Sequence, residues 1–386
     1  MKVLSKIKML FAATAIVSVM MPTAAIADNG ETPGIGSMVI MSGLKNPWDM
    51  AFTKDGSMFF TEKCDGLSVK TASGVTKLYG MKGSKGYGAT GSDLFCEGQA
   101  GMLGVTLDPK FASNRTLYLY STSNKYHGDG CKTNFEKCDG NIVMKFKVAK
   151  DLSKVSGRTD IVKDIQYKPF KSDQPFGGPG AHNGGRMVFG PDGYLYVGTG
   201  DRHRGICGQD NSILCSVVLR IDGNGKAHPK NKVKGDKRIY TYGHRNVQGI
   251  AVRPSDGAIF TAEHGPWHND EITKLVSGGN GGWDPAEKRA GRKACPDKYC
   301  GYEPNQMEGM TPAVRAAYTP MSDTRFKDLM PPAWQNNGYS QGTGSAAFLK
   351  GKEWGNYEGR LATGIMGIGF GGTPGGMRID ITDLAD

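Results

Sequence analysis

One phrase recurs along this chain and limits its fold more than any other feature. It reads Met50-Ala-Phe-Thr-Lys-Asp-Gly-Ser-Met-Phe-Phe-Thr-Glu62, then Arg186-Met-Val-Phe-Gly-Pro-Asp-Gly-Tyr-Leu-Tyr-Val-Gly198, then Ile250-Ala-Val-Arg-Pro-Ser-Asp-Gly-Ala-Ile-Phe-Thr-Ala262. Each copy is a strand, an Asp-Gly turn and a second strand. Glycine takes a positive φ without steric cost, and the β-branched and aromatic residues on either side suit a pleated, half-buried surface. A looser copy runs from Gly104 through Asp108-Pro109 to Tyr120. The copies are unequally spaced, which leaves room in each unit for another strand pair and a long loop.

Composition agrees with many short strands. The chain holds 57 Gly in 386 residues, a density that long helices tolerate poorly, while 38% hydrophobic residues exclude a disordered polar chain. Hairpins repeated at this scale predict an all-β fold, a six-bladed β-propeller of four-stranded antiparallel blades, at roughly 60 residues per blade. The alternative is a stack of sandwich domains, but no Pro/Ser-rich or charged linker divides the chain. Residues 28–386 are therefore expected to form a single domain.

The first 27 residues follow a different logic. Lys2, Lys6 and Lys8 precede an apolar run from Met9 to Met21, followed by Ala25-Ile26-Ala27. This pattern predicts a secretory signal peptide over 1–27; the run is short of the ~20 apolar residues that a membrane span needs. Cleavage would remove three lysines and no acids, lowering the formal charge from +11 to +8. A periplasmic or secreted protein without stable membrane insertion is expected. Eight cysteines fit an oxidising compartment and four disulfides. Close spacing favours Cys131 with Cys138, Cys207 with Cys215 and Cys295 with Cys300, leaving Cys64 with Cys96.

In a propeller, loops that follow equivalent strands gather around the axis, so polar residues at equivalent places in different repeats can converge. His182-Asn183-Gly184-Gly185-Arg186 stands just ahead of one hairpin, and Gly198-Thr199-Gly200-Asp201 closes it. Gly243-His244-Arg245-Asn246 precedes the next. A histidine base (His182), a carboxylate to orient it (Asp201) and an arginine for negative charge (Arg245) compose a plausible acid–base site. His264 and His268 show H-x-x-x-H spacing, but Pro266 between them opposes the helix that presents a zinc pair. Carboxylates and carbonyls in that loop suit calcium better. The basic stretch from Lys226 to Arg238 contains Pro229 and Gly235 and reads as a solvated loop, so no nucleic-acid partner is expected.

Together these motifs resemble the soluble quinoprotein glucose/sorbosone (aldose sugar) dehydrogenase family. The phrases that carry the resemblance are Gly98-Gln-Ala-Gly-Met-Leu-Gly104, His182 to Asp201, Gly243-His-Arg-Asn-Val-Gln-Gly249, and Glu263-His-Gly-Pro266 through Asp270-Glu271 to Gly279-Asn-Gly-Gly-Trp283. The resemblance implies a six-bladed propeller that carries pyrroloquinoline quinone (PQQ) and Ca²⁺. It also implies oxidation of a sugar C1 hydroxyl to a lactone by hydride transfer to the quinone.

On this basis His182 would be the base, supported by Asp201. Gln99, Gln209, Arg245 and Asn246 would contact the cofactor. The carbonyls of Gly265 and Pro266 would hold Ca²⁺, and Glu271 with the backbone of Gly281 would form a second calcium site. Gly281 replaces the family's usual Tyr. The family's Arg-rich cofactor clamp has at most a remnant in Arg378-Ile379-Asp380, so the last blade is expected to be incomplete or closed differently. Two other readings remain open at this point: a non-catalytic calcium-binding propeller that binds a ligand or partner, and a calcium-dependent sugar lactonase. The preferred sugar and the electron acceptor are not readable.

Overall fold

A computed structural model describes residues 32–128, 131, 138–169, 178–285, 311–367 and 377–384. The proposed leader and the Cys295–Cys300 pairing lie outside these residues. The hairpin phrases form as expected. Pro47–Phe52 (β1) pairs with Met58–Glu62 (β2), Met187–Phe189 (β10) with Leu195–Gly198 (β11), and Val247–Val252 (β14) with Ile259–Glu263 (β15). In each turn the glycine takes the left-handed conformation, at φ 82° for Gly56, 76° for Gly193 and 73° for Gly257. The aspartate before it accepts from the backbone N–H two residues on: Asp55 from Ser57 at 3.3 Å, Asp192 from Tyr194 at 3.1 Å and Asp256 from Ala258 at 2.9 Å. The Asp-Gly pair thus makes each turn twice over, by side chain and by backbone.

These hairpins are the inner halves of small sheets. The first sheet continues β1 and β2 with Gly66–Thr71 (β3), Gly74–Gly80 (β4) and the short Ala89–Thr90 (β5). The second holds Met102–Leu107 (β6), Thr116–Thr122 (β7), Asp139–Val148 (β8) and Val155–Gln166 (β9). The third adds Val217–Ile221 (β12) and Ile239–Tyr242 (β13) to β10 and β11; the fourth adds Glu271–Lys274 (β16) and Pro332–Gln335 (β17) to β14 and β15. The fifth has Thr343–Phe348 (β18), Leu361–Ile365 (β19) and Arg378–Thr382 (β20). Among the described strands β4 and β5 pair in parallel and the other strand pairs are antiparallel.

The first strands β1, β6, β10, β14 and β18 pack on one another in turn around the axis. The four largest core clusters each bridge two neighbouring sheets: Phe59 and Leu67 with Leu119 and Phe146, Tyr120 and Val143 with Val197 and Leu219, Tyr196 with Val247 and Ile250, Phe260 with Leu361 and Phe348. Second strands are covered on both faces, so every residue of β2, β7, β11 and β15 is buried. This is a β-propeller, built from sheet-on-sheet packing in a ring.

The expected count of six four-stranded blades is corrected to five small sheets among the described residues, one of five strands, three of four and one of three. Dividing chain length by ~60 residues overcounts, because propeller blades tolerate long connections between strands. Residues 275–331 separate β16 from β17 within one sheet. No described core cluster joins the first sheet to the fifth. Met50 and Phe52 on one, and Met377 and Ile379 on the other, are exposed.

Three disulfides are present, Cys64–Cys96, Cys131–Cys138 and Cys207–Cys215. They match three of the four expected pairings and suit an oxidising compartment. No helix among the described residues is long and apolar enough to cross a membrane.

Candidate functional site

A cavity of about 890 Å³ opens on the propeller axis. Its walls come from the segments that enter the first strand or leave the second strand of each sheet: Lys63, Gln99, His182, Asn183, Asn246 and His264. That is where the repeat logic places converging residues. Glycines make the close approaches possible. Gly184 sits at φ 63°, and a side chain on Gly200 would run into the His182 carbonyl.

His182 is 7% exposed and held from three directions. Its Nδ1 lies 2.6 Å from Asp201 Oδ1, its Nε2 lies 2.8 Å from His203 Nε2, and its backbone N–H donates to Gln99 Oε1 at 3.3 Å. A carboxylate can only accept, so Nδ1 carries the proton and Nε2 keeps the lone pair. Asp201, fully buried, also accepts from the Trp283 indole at 2.7 Å and from the His203 backbone at 2.9 Å. Burial, with Arg245, His264 and Lys168 adding positive field, drives the His182 pKa well below the usual imidazole value. The ring is therefore neutral at physiological pH, as a proton acceptor must be.

The next sheet repeats the arrangement. His244 Nδ1 lies 2.6 Å from Glu263 Oε1, and the two residues are 19 apart in sequence, as are His182 and Asp201. The second carboxylate oxygen of Glu263 accepts from the N–H groups of Arg245 at 2.9 Å and Asn246 at 3.2 Å. His244 is 1% exposed, its Nε2 meets Thr241 Oγ1 at 2.8 Å, and it does not line the cavity. One copy of the pair faces the cavity and the other braces the loop that carries Arg245 and Asn246.

Arg245 donates to the His264 carbonyl at 3.0 Å and stands over the Trp283 ring at 5.7 Å. No described carboxylate pairs with its guanidinium, and its Nε is buried without a partner. Asn183 Nδ2 and His264 Nε2 are likewise buried without partners, on cavity-lining residues. Lys63 reaches in from the end of β2, donating to the Gly98 carbonyl with no carboxylate beside it; burial lowers its pKa. Lys63 and the Asn183 amide are donors on the cavity wall that a flat polyanion with carbonyl and carboxylate oxygens would complement, so the lining residues fit a quinone tricarboxylate. Arg186 and Arg378 also line the cavity but are engaged, the first by Asp49 and the second by Asp380.

Among the expected site residues Arg245 does not itself line the cavity, and the remaining ones lie further off. Gln209 exchanges amide bonds with Asn280 and donates to the Trp283 carbonyl at 2.9 Å, behind the cavity wall. Gly265 and Pro266 form the buried turn after His264, pinned by the Gly265 N–H to Asp270 Oδ1 bond at 2.9 Å. Glu271 is fully sequestered, and burial beside Glu263 and Asp270 pushes its carboxyl up to about 8. It accepts from Ser322 Oγ at 2.7 Å, and Ser322 lies against Gly282, next to Gly281. A buried carboxyl so disfavoured as an anion is a ligand that a hard cation would relieve.

Sequence reasoning missed His203, Lys63, Trp283 as an Asp201 partner, and Glu263 as the brace of the Arg245 loop. Only Glu263 left a readable signal, its shared 19-residue offset from a histidine.

Fold and site together define a propeller with a buried His–Asp pair facing an axial, cation-lined cavity. A family model for glucose/sorbosone dehydrogenase matches residues 44–368, and the chain belongs to that family. It is 32% identical over 252 residues to aldose sugar dehydrogenase YliI of Escherichia coli (strain K12), covering 64% of this chain and 60% of the relative. Over 269 residues it is 28% identical to quinoprotein glucose dehydrogenase B of Acinetobacter calcoaceticus, covering 64% of this chain and 51% of that one. The chain thus spans about half to three-fifths of the length of these curated relatives. A solved PQQ-bound aldose sugar dehydrogenase from Streptomyces coelicolor superposes with a TM-score of 0.60 at 22% identity, covering 91% of this chain and 86% of that one. The apo form of the soluble aldose sugar dehydrogenase from Escherichia coli gives 0.60 at 23% identity, covering 84% and 81%. At these identities the two structures bear on the fold.

Proposed function

We propose that this chain is a PQQ- and Ca²⁺-dependent aldose sugar dehydrogenase of the periplasm or extracellular space, oxidising a sugar C1 hydroxyl to the lactone. The observation that carries this reading is the neutral His182 on the cavity wall, its Nδ1 fixed by Asp201 and its lone pair on Nε2. When bound, the cofactor supplies hydride acceptance, with Ca²⁺ polarising its quinone carbonyl as a Lewis acid.

The chain's own residues supply the rest. His182 Nε2 takes the hydroxyl proton, and Asp201 stabilises the imidazolium that results. Arg245, Asn246 and Gln99 orient the cofactor, Lys63 adds a cation toward its carboxylates, and Gln209 supports that wall through Asn280. The carbonyls of Gly265 and Pro266 would hold the catalytic Ca²⁺, and Glu271 with the Gly281 carbonyl would hold a structural one. The buried walls exclude water, which keeps the hydroxyl proton and the base in direct contact.

The test is reconstitution of purified protein with PQQ and CaCl₂, followed by dye reduction with a panel of aldoses. Sugar-dependent reduction with a bound-quinone spectrum supports the reading. Calcium binding without quinone binding, or sugar-lactone hydrolysis without an acceptor, refutes it.

A further inference from the structure

A second cavity, of about 300 Å³, is left unused by this mechanism. Its size is at the lower end for small-molecule sites, enough for one ring rather than a large cofactor. Among its walls are Phe95 and Glu97 from the segment that enters β6, and Asn124 and His127 from the segment that leaves β7. In the third sheet those same two segments supply His182 and Asp201, and in the fourth His244 and Glu263. The pocket is therefore the second sheet's counterpart of the His182 site, at the same end of the propeller.

One tight turn separates the two spaces. The Glu97 N–H donates to the Ala100 carbonyl at 3.3 Å and the Ala100 N–H returns to the Glu97 carbonyl at 2.8 Å, which folds residues 97–100 back on themselves. The tip of the turn, Gly98 and Gln99, lines the axial cavity, where Gln99 Oε1 takes the His182 N–H at 3.3 Å. Its shoulder, Glu97, lines the pocket. Two residues of chain span at most ~7 Å, so the turn holds the two spaces side by side. Cys96, between Phe95 and Glu97, is bonded to Cys64, the neighbour of Lys63 on the axial cavity, and this disulfide fixes the shared wall.

The lining combines an aromatic corner with polar groups. Phe95, half-buried, meets the Tyr167 ring at 5.5 Å and 87° and the His127 ring at 5.6 Å and 81°. Glu97 accepts from the Tyr167 hydroxyl at 3.4 Å, and Asn124 is exposed, bonded through its backbone to Asp93 and His127. A carboxylate can only accept, so a ligand here must bring donors, while the aromatic corner calls for C–H surface. A sugar ring brings both, whereas a planar quinone brings no donor for Glu97. We propose that this pocket is a second sugar subsite, which receives the neighbouring ring of a reducing di- or oligosaccharide whose terminal C1 hydroxyl lies at His182. This rests on the dehydrogenase reading and gives its substrate class as aldoses that carry a further sugar. The pocket binds and orients; the bond changes stay at C1.

The experiment compares cellobiose and maltose with glucose on reconstituted wild type, Asn124→Ala and Glu97→Ala. Wild type is expected to show a lower KM for at least one disaccharide than for glucose. Asn124→Ala, which keeps the backbone bonds of residue 124, should raise that disaccharide's KM about 2- to 10-fold relative to glucose, the worth of one neutral hydrogen bond. Glu97→Ala should raise it ~10-fold or more, because the acceptor lost is charged. An independent arm needs no cofactor: in saturation-transfer NMR of the full chain with each disaccharide, protons of the non-reducing ring are saturated by wild type and weakly by both variants. Should wild type oxidise no sugar, the dehydrogenase reading fails while the NMR arm still decides the pocket. Glucose oxidation with no disaccharide preference and no saturation of the non-reducing ring would overturn the subsite alone. So would variants that raise KM for the dye acceptor and leave the disaccharide-to-glucose ratio at its wild-type value, which would give the pocket to the electron acceptor.

Discussion

Replacing Asp201 with Asn leaves the side-chain volume almost unchanged but cannot satisfy the three donors that now point at the carboxylate. Oδ1 takes the His182 Nδ1 proton at 2.6 Å and the His203 backbone N–H at 2.9 Å, while Oδ2 takes the Trp283 indole N–H at 2.7 Å. An amide has one oxygen and one NH₂. With the oxygen toward the histidines, the NH₂ opposes the indole N–H, donor against donor. Turned over, the NH₂ faces His182 Nδ1, which must then accept; the ring proton moves to Nε2, which then has no lone pair to offer.

Either orientation strands one buried donor, at a cost of ~1–3 kcal/mol in stability. Either also removes the negative charge that stabilises imidazolium once the base has taken its proton. The expected result in reconstituted protein is a kcat about 10²- to 10⁴-fold lower, the range for losing an effective general base. KM for the sugar should change little, because Asp201 lies behind His182 and does not line the cavity. Dye-reduction kinetics and a thermal melt on the same samples read both effects. A kcat within threefold of wild type at an unchanged melting temperature would refute the tautomer argument and remove His182 Nε2 from the role of base.

Lys63→Met should weaken PQQ binding by ~10- to 100-fold, the worth of one charge-assisted hydrogen bond, as read by fluorescence titration of the cofactor; an unchanged affinity would take Lys63 out of the cofactor site. The calcium-free protein should be most stable near pH 6.5. Below that value His182, His203, His264 and His268 are charged when unfolded but held neutral when folded, and burial brings His268 down to about 4, so stability is lost as pH falls. His268 alone accounts for about 3 kcal/mol of this by pH 4. Glu271 acts in the other direction. Its folded value is raised to about 8, so its contribution is complete below its unfolded value and fades as pH rises through 8. Melting temperatures from pH 4 to 9 with EDTA or CaCl₂ check this: a flat profile between pH 4.5 and 6.5 would contradict the histidine burial, and a calcium-insensitive alkaline side would remove Glu271 from a metal site.

The hairpins were readable because each is local. An Asp-Gly pair sets the turn by its own chemistry, and the flanking β-branched and aromatic residues need only a pleated surface. Two disulfides, Cys131–Cys138 and Cys207–Cys215, were readable for the same reason, short spacing in the chain, whereas Cys64–Cys96, 32 residues apart, followed only as the pair left over. The number of sheets was not, because it depends on how much chain is spent between strands, and residues 275–331 stand between two strands of one sheet. The site was legible where its residues sit next to a repeat, as His182, Asp201, Arg245 and Asn246 do. His203 and Lys63 escaped because each matters through a neighbour far away in sequence, His182 for one and the Gly98 loop for the other.

The two His–carboxylate pairs show how one repeated framework yields both architecture and chemistry. A propeller places the segment before each first strand beside the segment after each second strand, so a histidine in one and an acid in the other must meet. Their Nδ1–O distance is the same 2.6 Å in both sheets. Sequence position therefore fixes the pair but says nothing about its use. What separates them is place: His182 lines the cavity, whereas His244 does not, and Thr241 on a strand meets its other ring nitrogen. A structural pair can serve as an acid–base pair when its histidine borders the cavity, and that depends on the wall the loop belongs to rather than on the pair itself.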